Sequence, residues 1–339
     1  MRALLLSGGE GTRLRPFTLT TPKPLLSVAN IPVIAYQFAL LKKYGITDII
    51  VGIGYKTDNF RKVVAGISKS MGIKASLSIE DKPLGTGGGL RNAYPFFKRE
   101  KEPFFVFNGD VIADFNLEKM MSLHKEKNVY LTIGLVRVNN PSSYGLVITD
   151  GDMSVKRFIE KPGPEEIISD TINAGVYIFS PDIFNQIAAG KNVSLEKEVF
   201  PSLLEKGKKV YTCIHYGYWM DVGTIEKYIK VNFDIMEGKV GFFDIHPQYI
   251  DSGKIILGKK SVIRERVQIR GKVIIGNNCI IGEDSFLEDS IIMDNTIVSR
   301  RCRVRNSVIG KDVLVENDCI IENQAIADKS LICSFTRPV

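Results

Sequence analysis

The apolar positions open with Ala3-Leu4-Leu5-Leu6, a short run with no polar alternation. Such a run predicts a strand buried on both faces. Ile34, Phe38, Leu41 and Tyr44 then recur at helical spacing, and Gly45 marks the stop. Ile49 to Ile53 predicts a second buried strand, residues 57 to 71 a second helix, and Ala75 to Ile79 a third strand. Phe104-Phe105-Val106-Phe107 is a further apolar strand, and Ile225 to Met236 a late helix. Strands alternating with helices predict a parallel sheet covered on both faces. Near Phe242 the pattern changes. From Leu257 an apolar or small residue recurs every six positions, at Ile263, Ile269, Ile275, Ile281, Leu287, Met293 and Ser299. The phase slips by four and resumes at Ile309, Val315, Ile321 and Ala327. A sustained period of six predicts a β-helix, with Gly276-Asn277-Asn278 and Gly282 at corners that need left-handed backbone. The expected organisation is an α/β domain over residues 1–240 and a coil domain over 241–339.

Composition narrows the function more than the fold. With 339 residues there is length for two domains, and 44% hydrophobic and 24% charged residues suit a globular protein. No apolar run approaches the ~18 residues a membrane span needs. The N-terminus lacks the regions of a signal peptide, so a cytoplasmic protein without membrane contact is expected. Five cysteines without close pairs argue against a disulfide framework or a zinc site. A net charge of +7 suits small anionic substrates. With no basic tail or aromatic-basic motif, nucleic acid is not expected as a partner.

Candidate chemistry begins directly after the first strand. Ser7-Gly8-Gly9-Glu10-Gly11-Thr12 lets backbone approach a ligand closely, and its N–H groups suit phosphate. Arg13, Arg15 and the Pro22-Lys23-Pro24 lysine follow, so a polyphosphate site is the better reading than a solvated loop. Neither the P-loop pattern nor the dinucleotide GxGxxG pattern is present. A second glycine cluster, Gly85-Thr86-Gly87-Gly88-Gly89, follows the third strand and leads to a helix expected over Leu90 to Phe97. Asp110 ends the Phe104 strand at the sheet's ligand edge, where a hard oxygen donor suits Mg²⁺. Tyr144-Gly145, Glu160-Lys161-Pro162 and Asn173-Ala174-Gly175 together offer a hydroxyl acceptor, a cation and an amide, suited to a sugar phosphate. Ser194-Leu195-Glu196 looks like a helix start, and Trp219 is expected in the core.

Gly8 to Pro24 meets every fixed position of GGxGTRLxPxTxxxPKP and so resembles the sugar-phosphate nucleotidylyltransferases. The NGDVI, INAGVYIFSP, SLEKEVFP and WMDVGT segments are closest to the mannose-1-phosphate guanylyltransferase branch. The resemblance implies a Rossmann-like, mixed and mainly parallel sheet followed by a left-handed parallel β-helix. It implies transfer of a nucleoside monophosphate, with GTP and mannose 1-phosphate as the expected pair. Arg13 and Lys23 are then the catalytic cations. Leu6, Gly8, Gly9, Gly11, Thr12, Gly85, Thr86 and Asp110 bind the nucleotide. Gly145, Glu160, Lys161 and Asn173 bind the sugar phosphate. Asp110 and Asp221 bind Mg²⁺. Glucose-1-phosphate uridylyl-, thymidylyl- or adenylyltransferase and heptose-phosphate guanylyltransferase remain alternatives, as does a non-catalytic regulatory subunit of the same architecture. The β-helix contains no histidine after Leu257 and is expected to be catalytically silent, serving a homo-oligomer contact.

Overall fold

The structure, a computed structural model, describes residues 1–54 and 58–337. Residue 57, at the start of the expected second helix, and the last two residues of the expected 241–339 domain lie outside the described residues. Two compact units are present. One is Met1–Gly9 with Ile34–Met220, and the other is Glu10–Val33 with Asp221–Val339.

In chain order the first unit contains β1 (Arg2–Ser7), α1 (Val33–Lys43), β2 (Asp48–Ile53), α2 (Asp58–Met71), β3 (Lys74–Ile79), α3 (Gly85–Asn92), β4 (Phe104–Asn108) and β5 (Val111–Ala113). It continues with α4 (Leu117–Glu126), β6 (Leu131–Arg137), β7 (Gly145–Thr149), β8 (Val155–Glu160), β9 (Thr171–Phe179), α5 (Phe200–Glu205) and β10 (Val210–Ile214). Nine strands form one sheet in the order β8-β7-β9-β4-β1-β2-β3, with β6 on β9 and β10 on β6. The half built on β1 is parallel, Leu4 facing Ile50 on one side and Val106 on the other. β9 then enters antiparallel between β4 and β6, so the sheet is mixed. Leu4, Ile50, Val106, Phe104 and Phe179 join one buried cluster. Each such side chain contributes about 1.5–3 kcal/mol by leaving water. α1 turns Ile34, Phe38 and Leu41 inward, all fully buried, and ends on Lys42 and Lys43, which oppose the negative end of its dipole.

The second unit carries a helix at Ile225–Met236, whose Thr224 hydroxyl accepts from the Lys227 N–H at 3.3 Å. A parallel β-helix follows. Ser252–Leu257 pairs with Gln268–Ile275, which pairs with Phe286–Ile292. The register offset is 18 residues between Val262 and Ile280, and 17 between Ile280 and Ile297. Corners fall at Asn278, Asn295 and Asp312, all at positive φ (54°, 61° and 56°), a region that short polar side chains tolerate. Arg301 clamps Asp318 one coil on with two bonds of 2.7 and 2.8 Å. The coil length accounts for the drift in the period. A 17-residue coil is two sixes and a five, so the phase slips by one residue per coil and not by four at a single point. Ile292 and Val298 are therefore inside at 0% exposure, where a strict period of six points to Met293 and Ser299. In the first coil Leu257 pairs with the inward Ile275 and is 36% exposed, while Ile255 is buried.

Candidate active site

The carboxyl ends of β1, β3 and β4 build one side of the site within the first unit. Gly8 follows β1, and Glu80 follows β3. A Cβ at Gly8 would lie 3.0 Å from Glu80 Oε1, and one at Gly89 only 2.7 Å away. Glycine at both positions is what leaves room for this carboxylate, which is 5% exposed. Glu80 Oε2 accepts from the Leu84 N–H at 3.0 Å. Burial pushes the Glu80 carboxyl above its usual range, and the Leu84 bond opposes that only in part. Leu6 completes the wall, its Cδ2 standing 3.5 Å from a Gly89 Cβ. Gly9 has open space around it.

The second glycine cluster is helix, not turn, because α3 begins at Gly85, five residues earlier than expected. Backbone from residues 191–193 lies across its first turn. A Cβ at Gly85 would meet the Val193 carbonyl at 2.6 Å, and one at Gly88 would collide with the Lys191 carbonyl. The Gly87 and Gly88 N–H groups both donate to Val193 O, at 2.8 and 3.2 Å. Gly85 is left-handed (φ 69°). The Thr86 hydroxyl is committed as well. It donates to Glu196 Oε2 at 2.8 Å and accepts from the Leu195 N–H at 2.8 Å.

Glu196 carries this network to the sugar-phosphate candidates. The Tyr177 hydroxyl donates to Glu196 Oε1 at 3.3 Å, and Asn173 Nδ2 donates to Tyr177 at 2.8 Å. Asn173 Oδ1 accepts from the Gly175 N–H at 3.0 Å. A Cβ at Gly145 would lie 2.8 Å from Glu160 Oε2 and 3.9 Å from Asn173 Cβ, so these three candidates are gathered. Burial and the Glu196 carboxylate push the Glu160 carboxyl up, against Lys161 and Lys197. Lys161 is exposed beside them on left-handed backbone (φ 52°). Trp219 is not a core residue. It is half-buried, its indole N–H donates to the Ala174 carbonyl at 2.9 Å, and its ring meets Tyr144 edge-on at 5.7 Å.

Asp110 sits on the turn between β4 and β5. The Gly109 N–H donates to Leu6 O at 2.7 Å, and a Cβ there would collide with Ser7 Oγ. Gln37 ties the turn to α1 through Asn108 O at 2.7 Å and Val111 O at 3.1 Å. Beside it, Ser7 Oγ and Asn108 Oδ1 are buried without a protein partner.

The cationic loop belongs to the second unit. Gly11 is left-handed (φ 64°) and starts the turn Thr12–Leu14 that exposes Arg13. Lys23 lies opposite, its Cβ 3.5 Å from a Gly11 Cβ. Asp221 is in the same unit, 9% exposed, and Lys227 Nζ pairs with its Oδ1 at 2.6 Å. A Cβ at Gly223 would lie 2.7 Å from Asp221 Oδ2 and 3.3 Å from Arg13 Nη2, so glycine lets the guanidinium stack there. Among the described residues no group of three or more His, Cys, Asp or Glu is placed to hold a metal ion.

Glu80, Glu196, Tyr177 and Lys227 were not singled out from the sequence. Glu80 had a usable signal, as a carboxylate at a strand's carboxyl end. Glu196 had only its place in a helix-capping pattern, and Ser194 does cap that turn, accepting from the Lys197 N–H at 3.2 Å.

A mixed sheet with glycine loops at the carboxyl ends of its parallel strands, followed by a β-helix, defines the class. Residues 2–238 match the nucleotidyl transferase family and residues 252–334 the GMPPB C-terminal domain. The chain belongs to the nucleotidyl transferase family. It is 38% identical over 263 residues to the mannose-1-phosphate guanyltransferase beta-A of Xenopus laevis, covering 76% of this chain and 70% of that protein. It is 42% identical over 224 residues to the mannose-1-phosphate guanylyltransferase catalytic subunit beta of Danio rerio, covering 66% of this chain. The match spans 61% of that relative, less than two thirds of its length. HddC from Yersinia pseudotuberculosis, solved in complex with GMP-PN, superposes with a TM-score of 0.59 at 28% identity, covering 69% of this chain and 99% of that one. Nucleotidyltransferases of this family generally use a divalent metal. No described helix is long and apolar enough to cross a membrane.

Proposed function

We propose that the chain transfers GMP from GTP to mannose 1-phosphate, giving GDP-mannose and pyrophosphate. The observation that carries the base is Glu80. Guanine presents two adjacent donors, N1–H and the N2 amine, to a carboxylate. Uracil and thymine present one donor between two carbonyls, and adenine sets an acceptor beside its amine. A buried carboxylate against Gly8 and Gly89 therefore favours guanine. The relatives named as mannose-1-phosphate guanylyltransferases support the same pair of substrates.

The roles follow from charge. A sugar 1-phosphate is largely dianionic at neutral pH, its second pKa being about 6. Its oxygen attacks the α-phosphorus without a strong base. What the protein must supply is positioning and positive charge. Arg13 and Lys23 hold the triphosphate and stabilise the charge that builds on pyrophosphate. Leu6, Gly8, Gly9, Gly11, Thr12 and Gly85 shape the nucleotide side. Thr86 acts there through its backbone, since its hydroxyl is spent on Glu196 and Leu195. Lys161 takes the sugar's phosphate, while Gly145, Glu160 and Asn173 take its hydroxyls.

Asp110 and Asp221 would hold Mg²⁺ as hard oxygen donors. The partnerless Ser7 Oγ and Asn108 Oδ1 lie beside the Asp110 turn, and Lys227, paired with Asp221 Oδ1 at 2.6 Å, would have to yield that oxygen. The bound cation would neutralise phosphate charge. A domain boundary at residue 240 is supported by family matches that end at 238 and begin at 252. Five cysteines free of disulfides support a cytoplasmic setting. A homo-oligomer through the β-helix is supported by an aliphatic ladder on one coil face. Val262, Ile280, Ile297, Leu314 and Leu331 stand in register there, each at least 36% exposed. The test is pyrophosphate release across nucleoside triphosphates and sugar 1-phosphates. GTP with mannose 1-phosphate should give the highest kcat/KM, and a higher value for UTP, dTTP or ATP would overturn the reading.

A further inference from the structure

The loop bearing Arg13 and Lys23 belongs to the same compact unit as the β-helix. It is made of three single turns, Thr12–Leu14, Phe17–Leu19 and Lys23–Leu25, and its short hairpin pairs only Ser27–Val28 with Ile31–Pro32. Such a segment has few backbone bonds to fix its shape, so side-chain anchors must do it.

Those anchors come from two places. The helix Ile225–Met236 supplies Asn232 Oδ1, which accepts from the Ala29 N–H at 2.7 Å, and Tyr228, whose hydroxyl donates to Ser27 O at 2.6 Å. The coil supplies the rest, along one corner. Asn277, Asp294, Lys311 and Asp328 occupy it in successive coils, 17 residues apart. One carboxylate oxygen of each aspartate closes the corner. Asp294 Oδ1 accepts from the Asn277 N–H at 2.7 Å, and Asp328 Oδ1 from the Lys311 N–H at 2.8 Å. The other oxygen of Asp328 accepts from the Thr20 hydroxyl. Lys311 Nζ reaches Thr21 Oγ1 at 3.4 Å, and Asn30 Nδ2 donates to the Ile275 carbonyl at 2.7 Å. Two residues before Thr20, the Thr18 hydroxyl donates to Gly11 O at 2.8 Å, and Gly11 is where the Arg13 turn begins. A short, continuous path thus runs from Asp328 through Thr20 and Thr18 to Gly11, flanked by Arg13 and Lys23.

We propose that this coil corner is a positioning platform for the cationic loop, with Asp328 and Thr20 as positioning residues that set where Arg13 and Lys23 stand. The β-helix is then part of the machinery for phosphate transfer and not a silent appendage. The inference rests on the reading that Arg13 and Lys23 hold the triphosphate.

The test uses the full chain with Thr20→Val, Asp328→Ala and the double variant, and with Asp328→Asn as the conservative change. Steady-state kinetics are read together with amide hydrogen exchange of residues 10–26. A small displacement of a charged group costs up to about a hundredfold in rate. Each single variant should lower kcat about tenfold, with KM for the sugar phosphate within about twofold. The double variant should be no worse than the poorer single one. Exchange in the loop should quicken in all three, and Asp328→Asn should recover part of kcat. Thr20→Val lies outside the coil, so a misfolded Asp328→Ala does not spare the proposal. Unchanged kcat in Thr20→Val overturns it, whether or not exchange quickens. So does a double variant whose losses multiply. If the wild-type chain turns over no nucleotide, the functional reading fails separately, and unaltered exchange in Thr20→Val still overturns the platform.

Discussion

Replacing Glu80 with glutamine separates what this carboxylate does for the fold from what it does for the base. In the folded chain it is 5% exposed and takes one backbone bond, from Leu84 at 3.0 Å. Its carboxyl is raised by burial from a usual value of 4.5. A folded-state value above the unfolded one means the group's contribution is fully present below pH 4.5. It is lost as pH rises through the folded value. Glu80→Gln should therefore match the wild type in stability below about pH 4, and gain on it progressively towards pH 7. The base should respond in the opposite sense. A hydrogen bond to a charged group contributes about 1.5–3 kcal/mol. Glutamine keeps one acceptor but opposes guanine's second donor with its own amine. The loss of one such bond lowers kcat/KM for GTP about 10- to 150-fold. Inosine triphosphate, which lacks the N2 amine, is the control. The wild type should prefer GTP over it, and Glu80→Gln should shrink that ratio about tenfold. Thermal melts across pH and kcat/KM for the two nucleotides check both halves. An unchanged GTP-to-ITP ratio in an active Glu80→Gln enzyme would refute the base assignment. A melt that falls at pH 7 would refute the burial argument.

Thr86→Val should lower stability by about 1–2 kcal/mol, since it strands the Leu195 N–H and leaves Glu196 Oε2 with the Ser194 hydroxyl at 3.0 Å. A cycle with Glu196→Gln, measured by denaturant unfolding, should show non-additivity of at least about 0.5 kcal/mol. Asp110→Asn and Asp221→Asn should each abolish Mg²⁺-dependent turnover with the melting curve retained, and near-normal activity in both removes the metal role. Lys161→Ala should raise KM for the sugar phosphate, whereas Arg13→Ala should mainly lower kcat; steady-state kinetics in both substrates would show the two patterns exchanged if the halves are misassigned. Ile297→Arg, in the middle of the exposed coil ladder, should lower the mass seen by light scattering at micromolar concentration, and a wild-type monomer there ends the oligomer proposal.

Local pattern made the strands and helices of the first unit legible, because Ala3 to Leu5 and Ile34, Phe38 and Leu41 are the buried residues their spacing selects. The antiparallel entry of β9 was not legible, since an apolar run such as Val176 to Phe179 looks the same in either direction. The glycine cluster at 85–89 was legible in composition but not in geometry. Its cause is a distant backbone, Lys191 to Val193, lying on the helix start. Trp219 failed for a similar reason. An aromatic in an apolar neighbourhood predicts core, and only the fold reveals the Ala174 carbonyl that holds its N–H at the surface.

The coil shows how a small error in period hides a functional contact. Counting in sixes predicts that residues six apart share a face, so Met293 and Ser299 should follow Leu287 inward. The structure turns Ile292 and Val298 inward instead, because each later coil is one residue short. That single residue also decides which positions form the outward corner. With the right count, Asp294, Lys311 and Asp328 stack as an alternating set of charges 17 residues apart. Two of the three then reach the loop of Arg13 and Lys23 through Thr20 and Thr21. With the wrong count they scatter over different faces, and the coil looks like a mere spacer. Removing residues 251–339 would strip the loop of its Ile275, Lys311 and Asp328 contacts, while those to the helix Ile225–Met236 remain. On the platform proposal such a deletion reaches the cationic loop, in contrast to the expectation of a catalytically silent coil. Loss of turnover should accompany any change in mass, since the cations it disturbs, Arg13 and Lys23, are those proposed to meet the departing pyrophosphate.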